Sequence, residues 1–262
     1  MLAKTLSLSC FAVAAVSSVG AASIPSNLQR RSGNDTTYAF SLPYNTSALE
    51  PWISNQTNVL HLEIIAGATA KLHAQSAAIV KLLNEPTLNF TAINSAAVTL
   101  DSVSGAVETH IIYFNSLAPT STGGGNYSLA STSFSTQVTK DFGSYASMIS
   151  ALNSQTALVP ASGWGWLVWD TKVKALDTTY TVDEELLDSS LKPVLNVDIV
   201  RTPMLSSRLW LTPAATLFQW EHAYFLDTGA NKTTYLSNLE HLYNWKGVSQ
   251  TFANVTGNAT TA

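Results

Sequence analysis

The run from Asn55 to Asn84 constrains this chain most. It contains no proline and places Val59, Leu60, Ile64, Ala68, Leu72, Val80 and Leu83 at helical intervals. That spacing predicts one long helix, bent at Gly67. Glu85-Pro86 should end it, because a residue before proline avoids the α region. A second helix is predicted from Asn94 to about Leu117, with Pro119 beyond it. Two long helices joined by a short link must lie side by side as an antiparallel hairpin, so residues 38–119 read as an N-terminal hairpin domain. Thr120–Gly125 (T-S-T-G-G-G) reads as a flexible joint and the domain boundary.

Beyond the joint the pattern changes to shorter elements. Lys140–Gln155 reads as a helix, and Gly163–Asp170 and Val194–Val200 as strands. Arg208–Leu217 should lead into a third strand that enters Trp220, and Tyr235–Trp245 should close as a helix. Residues 126–250 thus form a C-terminal domain of helices and sheet, and the fold class is α+β: a helical hairpin, then a three-stranded antiparallel sheet with helices. The segment between about Asp170 and Lys192, with Asp183-Glu184-Glu185 and Asp188, reads as a solvated, inserted loop.

The ends of the chain suggest where it works. Met1–Ala22 has Lys4, an apolar run from Leu6 to Val19, and small residues at Gly20-Ala21-Ala22, which is the layout of a secretory signal. The apolar run is short for a membrane span and broken by serines, so no transmembrane segment is expected. Residues 23–37 read as disordered or as a pro-segment, with Arg30-Arg31 either a dibasic processing site or a solvated basic pair. Cys10 is the only cysteine and lies in the leader, so the mature chain has no disulfide and no thiol chemistry. Sequons N-x-S/T fall at Asn34, Asn45, Asn55, Asn89, Asn126, Asn231, Asn254 and Asn258. Together these features predict a glycoprotein located outside the cell or at its surface. Residues 251–262 read as a disordered, glycosylated tail without the apolar segment of a lipid-anchor signal. Charged residues make up 11% of the chain and its net charge is −4, with no basic block. Nucleic acid is therefore excluded as a partner.

The chain has five histidines, His61, His73, His110, His222 and His241. His61, His110 and His222 fall on separate predicted elements, which is how metal sites are usually assembled. His73 is twelve residues past His61, about 18 Å along a straight helix, too far to share its metal. His73 and His241 read as packing residues.

Several segments resemble the iron/manganese superoxide dismutase family, in order. Leu42-Pro43-Tyr44 with Ala48-Leu49-Glu50-Pro51 opens the series. Leu60-His61 follows, then His110 before Ile111–Asn115 and Leu117-Ala118-Pro119. Asp141-Phe142-Gly143-Ser144, Ser162–Leu167, Trp220-Glu221-His222-Ala223-Tyr224 and Asn244-Trp245 complete it. The resemblance covers roughly Tyr38 to Phe252. It implies the family's fold, superoxide as substrate, iron or manganese as cofactor, His61, His110 and His222 as metal ligands, and a homodimer through Glu221.

In that family an aspartate ligand stands four residues before the third histidine, and that position is Phe218. The family's gateway histidine and tyrosine, one and two turns past the first ligand, correspond to Ile65 and Thr69. Its helix-borne glutamine corresponds to Ala106, and the tyrosine across its dimer to Phe225. The resemblance therefore implies a degenerate three-histidine site. Three imidazoles and a water suit zinc, or copper by affinity order; an empty site is physically tolerable as well. The expected function is a secreted, superoxide dismutase-like protein with weak activity or an altered metal. The alternative is an inactive binding or cell-surface protein on the same fold. No catalytic residue is assigned.

Overall fold

A computed structural model of the chain describes residues 28–30, 38–160, 162–183, 185–203 and 219–257. Leu28–Arg30 (β1) pairs antiparallel with Tyr38–Phe40 (β2), so part of the segment expected to be disordered forms a strand. Met1–Ala22 and the rest of 23–37 lie outside the described residues.

The two long helices form as the periodicity predicts. Helix α1 spans Asn55–Leu83, and its first turn is held by Ser54, whose hydroxyl accepts from the Thr57 N–H. Helix α2 spans Phe90–Asn115 and begins four residues earlier than expected. The reason is local: the Asn89 side chain accepts from the Ala92 N–H and satisfies one of the donors a helix start leaves open. The two helices pack along each other as a hairpin.

The joint after α2 is packed. Thr120–Thr122 forms a 3-10 turn. The Ala118 N–H donates to Leu242 O (2.8 Å) and the Gly125 N–H to Tyr243 O (3.0 Å). The glycines serve close approach, since a Cβ on Gly124 would stand 2.0 Å from Ala118 O. This replaces the expectation of a flexible link.

The helix predicted over Lys140–Gln155 is two helices, α3 (Thr132–Phe142) and α4 (Tyr145–Ala157). Gly143, at φ 81°, stops the first, and the Ser144 hydroxyl caps the second by accepting from Ser147 N–H. Strand β3 (Gly163–Asp170) has the predicted bounds and is central in a sheet of order β4-β3-β5, with β4 Ala175–Val182 and β5 Leu191–Asp198, all antiparallel. A three-stranded sheet was expected, but its third strand comes from the segment read as a solvated loop. Ala175–Val182 alternates Leu176 and Thr178 inward with exposed Asp177, the period-2 pattern of a half-buried edge strand.

Two short strands, β6 (Arg201–Pro203) and β7 (Gln219–Glu221), pair separately. Arg208–Leu217 and Phe218 lie outside the described residues. Three helices follow: α5 (Phe225–Thr228), α6 (Lys232–Glu240) and α7 (Trp245–Thr256). The expected tail from 251 therefore begins as helix, because Val248, Ser249 and Phe252 bury one face of α7. The main core joins Trp164, Trp166, Leu167, Leu195 and Val197 of the sheet to Phe134, Met148 and Leu152 of the helices. No helix among the described residues is long and apolar enough to cross a membrane.

Candidate metal centre

His61 lies in the second turn of α1 and His110 in the C-terminal half of α2. The hairpin thus presents two imidazoles from adjacent, antiparallel helices. His222 follows β7 directly. Each of these three histidines is at most 2% exposed. The structure brings together all three histidines picked out by the sequence reading, and it adds a fourth group.

That group is Asp198, the last residue of β5, which is fully buried. Its Oδ2 lies 2.9 Å from His61 Nε2, 3.2 Å from His222 Nε2 and 3.6 Å from His110 Nε2. The His222 Nε2 is 3.1 Å from that of His61 and 3.2 Å from that of His110. One ligand atom from each of the four residues lies within 4.8 Å of every other. The other carboxylate oxygen, Oδ1, accepts from the Val200 N–H at 2.7 Å, which turns Oδ2 toward the histidines.

The reading of Phe218 is therefore corrected: a carboxylate does face the three histidines, and it is Asp198. Asp198 stands twenty-four positions before His222, where the family spacing is four. Antiparallel pairing accounts for the difference. Arg201 is opposite Glu221, Thr202 opposite Trp220 and Pro203 opposite Gln219. Paired Cα atoms stand about 5 Å apart whatever length of chain lies between them. The added residues leave and return at one point, and Asp198 and His222 meet at its base. The degenerate three-histidine site is replaced by a set of three histidines and one aspartate.

One signal in the sequence could have found Asp198. It is a charged residue inside the apolar run Val194–Val200, and carboxylates are almost never fully buried unless partnered.

The electrostatics suit a cation. Burial lowers the pKa of His61 to about 4, with proximity to His222 adding to the effect. Burial likewise lowers His110 to about 3. Both are neutral at physiological pH. The Nδ1 of His110 faces the Ala106 carbonyl and must carry the proton to bond it, so its Nε2 keeps a lone pair. Burial alone would raise the Asp198 carboxyl, but electrostatic attraction and hydrogen bonding from the His222 and His61 rings outweigh it and hold the group well below the usual range. Imidazole lone pairs and a carboxylate oxygen thus converge in a dry space. Hydrogen bonds among these groups cannot satisfy every acceptor, whereas one metal ion satisfies them all. The donor set fits a divalent or trivalent metal: imidazole suits iron, copper and zinc, and carboxylate suits manganese.

The surroundings hold these four side chains in place. Asn196 Nδ2 donates to the Thr109 carbonyl at 2.8 Å and ties β5 to α2 beside His110. Trp164 meets the His110 ring edge-on at 5.0 Å, and Tyr113 and Phe114 pack on His61 at 5.2 and 4.8 Å. The Tyr113 and Tyr235 hydroxyls pair at 3.2 Å, both buried. Ile65, in the gateway position, is buried, and the Thr69 hydroxyl is tied to the Ile65 carbonyl at 2.8 Å. Phe225 is partly exposed at 37%, and the Glu221 backbone lies in β7. As expected, His73 and His241 stay apart from the centre. His241 stacks on Trp52 at 3.8 Å, and His73 lies farther along α1.

Comparison with known proteins agrees with this geometry. The family profile for the iron/manganese superoxide dismutase C-terminal domain matches residues 130–201 and 199–251, two pieces that meet just past Asp198. The mitochondrial manganese superoxide dismutase of Oryza sativa subsp. japonica is 28% identical over 247 residues, covering 91% of this chain and 95% of that one. The mitochondrial manganese enzyme of Candida albicans is 30% identical over 227 residues, covering 81% and 84%. The iron superoxide dismutase of Tetrahymena pyriformis is 30% identical over 144 residues, 55% of this chain and 63% of that one. The covered share and the family profile agree with the fold and the buried histidine–aspartate cluster, and the chain belongs to the iron/manganese superoxide dismutase family.

Proposed function

We propose that this protein holds iron or manganese on His61, His110, Asp198 and His222 and converts two superoxide ions and two protons into dioxygen and hydrogen peroxide. The observation that carries the reading is the Asp198 carboxylate facing three buried imidazoles. When bound, the metal supplies one-electron exchange. The residues supply the rest. Asp198 contributes the one negative charge among the ligands, which favours the higher oxidation state. Trp164, Tyr113 and Phe114 keep the space dry, which strengthens each electrostatic contact within it.

Proton supply differs from what the family pattern implies. Ile65 and Ala106 offer no side-chain donor, and Thr69 is already committed to a carbonyl. Burial raises Tyr113 and Tyr235 well above the usual phenol range, so both keep their protons at working pH. We expect slow proton delivery and turnover below that of relatives with a polar gateway. The same apolar gateway favours a second reading, a metal-holding protein that binds without turning over.

The leader-like run at Met1–Ala22 and the sequons support a secreted glycoprotein, although two of the relatives above carry mitochondrial names. The family resemblance supports a homodimer through Glu221. The deciding experiment measures metal content and superoxide decay on the same preparation, by elemental analysis and stopped-flow absorbance. Stoichiometric iron or manganese with catalytic decay is expected. Full loading without decay would leave the second reading, and loading with zinc alone would sink the dismutase.

A further inference from the structure

N-glycosylation uses one particular atom of asparagine. The Nδ2 attacks the anomeric carbon of a lipid-diphosphate-linked oligosaccharide. An N–C bond forms, the C–O bond to the diphosphate breaks, Nδ2 releases one proton, and the lipid diphosphate leaves. A glycan on Nδ2 leaves Oδ1 able to accept a hydrogen bond.

Eleven of the fourteen described asparagines, all but Asn55, Asn94 and Asn115, divide along that line. Asn45 Oδ1 accepts from the Ser47 N–H at 3.1 Å, Asn89 Oδ1 from Ala92 N–H at 3.0 Å, and Asn126 Oδ1 from Ser128 N–H at 3.1 Å. Asn231 Oδ1 accepts from Thr234 N–H at 3.0 Å and Asn254 Oδ1 from Gln250 Nε2 at 3.2 Å. All five lie in N-x-S/T sequons, all are exposed, and none uses Nδ2 in a hydrogen bond among the described residues. Asn58, Asn84, Asn153, Asn196, Asn238 and Asn244 lie outside sequons, and each donates through Nδ2. Three of the five sequon asparagines, Asn89, Asn126 and Asn231, are helix N-caps, a role that needs only Oδ1.

A second observation concerns Asn89. It sits at the tip of the α1–α2 hairpin between Leu88, 38% exposed, and Phe90, 69% exposed. Farther along the two helices, Val80 and Val98 are exposed as well, at 50% and 72%. An apolar patch open to water is an association hazard unless something covers it.

We propose that Asn45, Asn89, Asn126, Asn231 and Asn254 carry N-linked glycans on Nδ2 while Oδ1 keeps its structural bond, and that the Asn89 glycan covers the apolar hairpin tip. The inference rests on the secreted reading, so the test removes that dependence. Residues 1–22 are replaced by a proven secretory signal and the protein is made in eukaryotic cells. Glycans are released in heavy-oxygen water, which marks each occupied asparagine as a labelled aspartate in peptide mass spectra. Occupancy at the five sites is expected, and unoccupied Asn89 in the secreted product overturns the proposal. The native leader is scored separately by secretion of the unaltered chain.

Variants then separate cap from glycan. Thr91→Ala removes the sequon and keeps the Asn89 cap. It should lose the glycan, hold its Tm within about 1 °C, and bind a hydrophobic column more tightly. Asn89→Ala loses both and should fall a further ~2–4 °C, the size of one lost cap. Asn89→Asp should match Thr91→Ala. Unchanged column retention for Thr91→Ala would refute the covering role.

Discussion

Acidifying the metal-free protein should unfold it, by an amount the histidine pair determines. In the unfolded chain His61 and His110 titrate near 6.5, and in the folded chain near 4 and 3. Between those values the unfolded state binds protons that the folded state refuses, so stability falls as pH falls through this window. Each proton contributes up to ~1.4 kcal/mol per pH unit. Between pH 6 and pH 4.5 the pair should remove ~3.5 kcal/mol, a large part of the 5–15 kcal/mol typical of a domain. Asp198 acts lower down. Its carboxyl is held below the unfolded value of 3.8, so its contribution is present above that value and is lost on further acidification. The assay is urea unfolding followed by tryptophan fluorescence, in half-unit steps from pH 7.5 to 4.5, after chelation. A slope below ~0.5 kcal/mol per unit across pH 6 to 4.5 would refute the claim that both imidazoles are buried and neutral. Imidazole proton signals titrating near 6.5 in the folded protein would refute it independently.

Other expectations concern single features. Asp198→Asn should reduce iron or manganese occupancy by more than tenfold in elemental analysis, whereas Phe218→Asp should leave it unchanged; the reverse order would restore Phe218 as the ligand position. Deleting residues 200–219 joins Asp198-Ile199 to Trp220-Glu221-His222 and restores the four-residue spacing. The product should fold and keep its metal, and loss of metal with an intact circular dichroism spectrum would show that the paired strands do more than return the chain. Gly165→Ala should destabilise by ~2 kcal/mol or more, read as a fall in Tm, because overpacked cores cost about that much. The added Cβ would stand 1.9 Å from Thr156 Oγ1, whose hydroxyl is bound to Leu152 O in the buried face of α4.

The helical hairpin was legible because its information is local. Apolar period, absence of proline and a terminal Glu85-Pro86 act within one helix, and α1 ends where they say. Helix α2 began early because a single cap, Asn89, outranks the weak periodicity of its first turn. Two features beyond the hairpin were misread for the opposite reason. Ala175–Val182 is polar enough to pass for a loop, and only pairing with β3 fills its backbone hydrogen bonds. The glycines of 123–125 look flexible in isolation, and contact with Ala118 and His241 shows that they are required for tight packing.

The metal centre divides in the same way. His61, His110 and His222 could be named from the chain, because each lies in a motif whose residues are adjacent in sequence. The sequence by itself also determined the α+β class. The fourth member of the cluster was a matter of tertiary structure. Asp198 and His222 are separated by an excursion that linear spacing counts in full, and strand pairing at Arg201 and Glu221 reduces to almost nothing. A motif defined by counting residues fails when chain is inserted within it. A site defined by distance survives, because antiparallel pairing fixes where the chain returns.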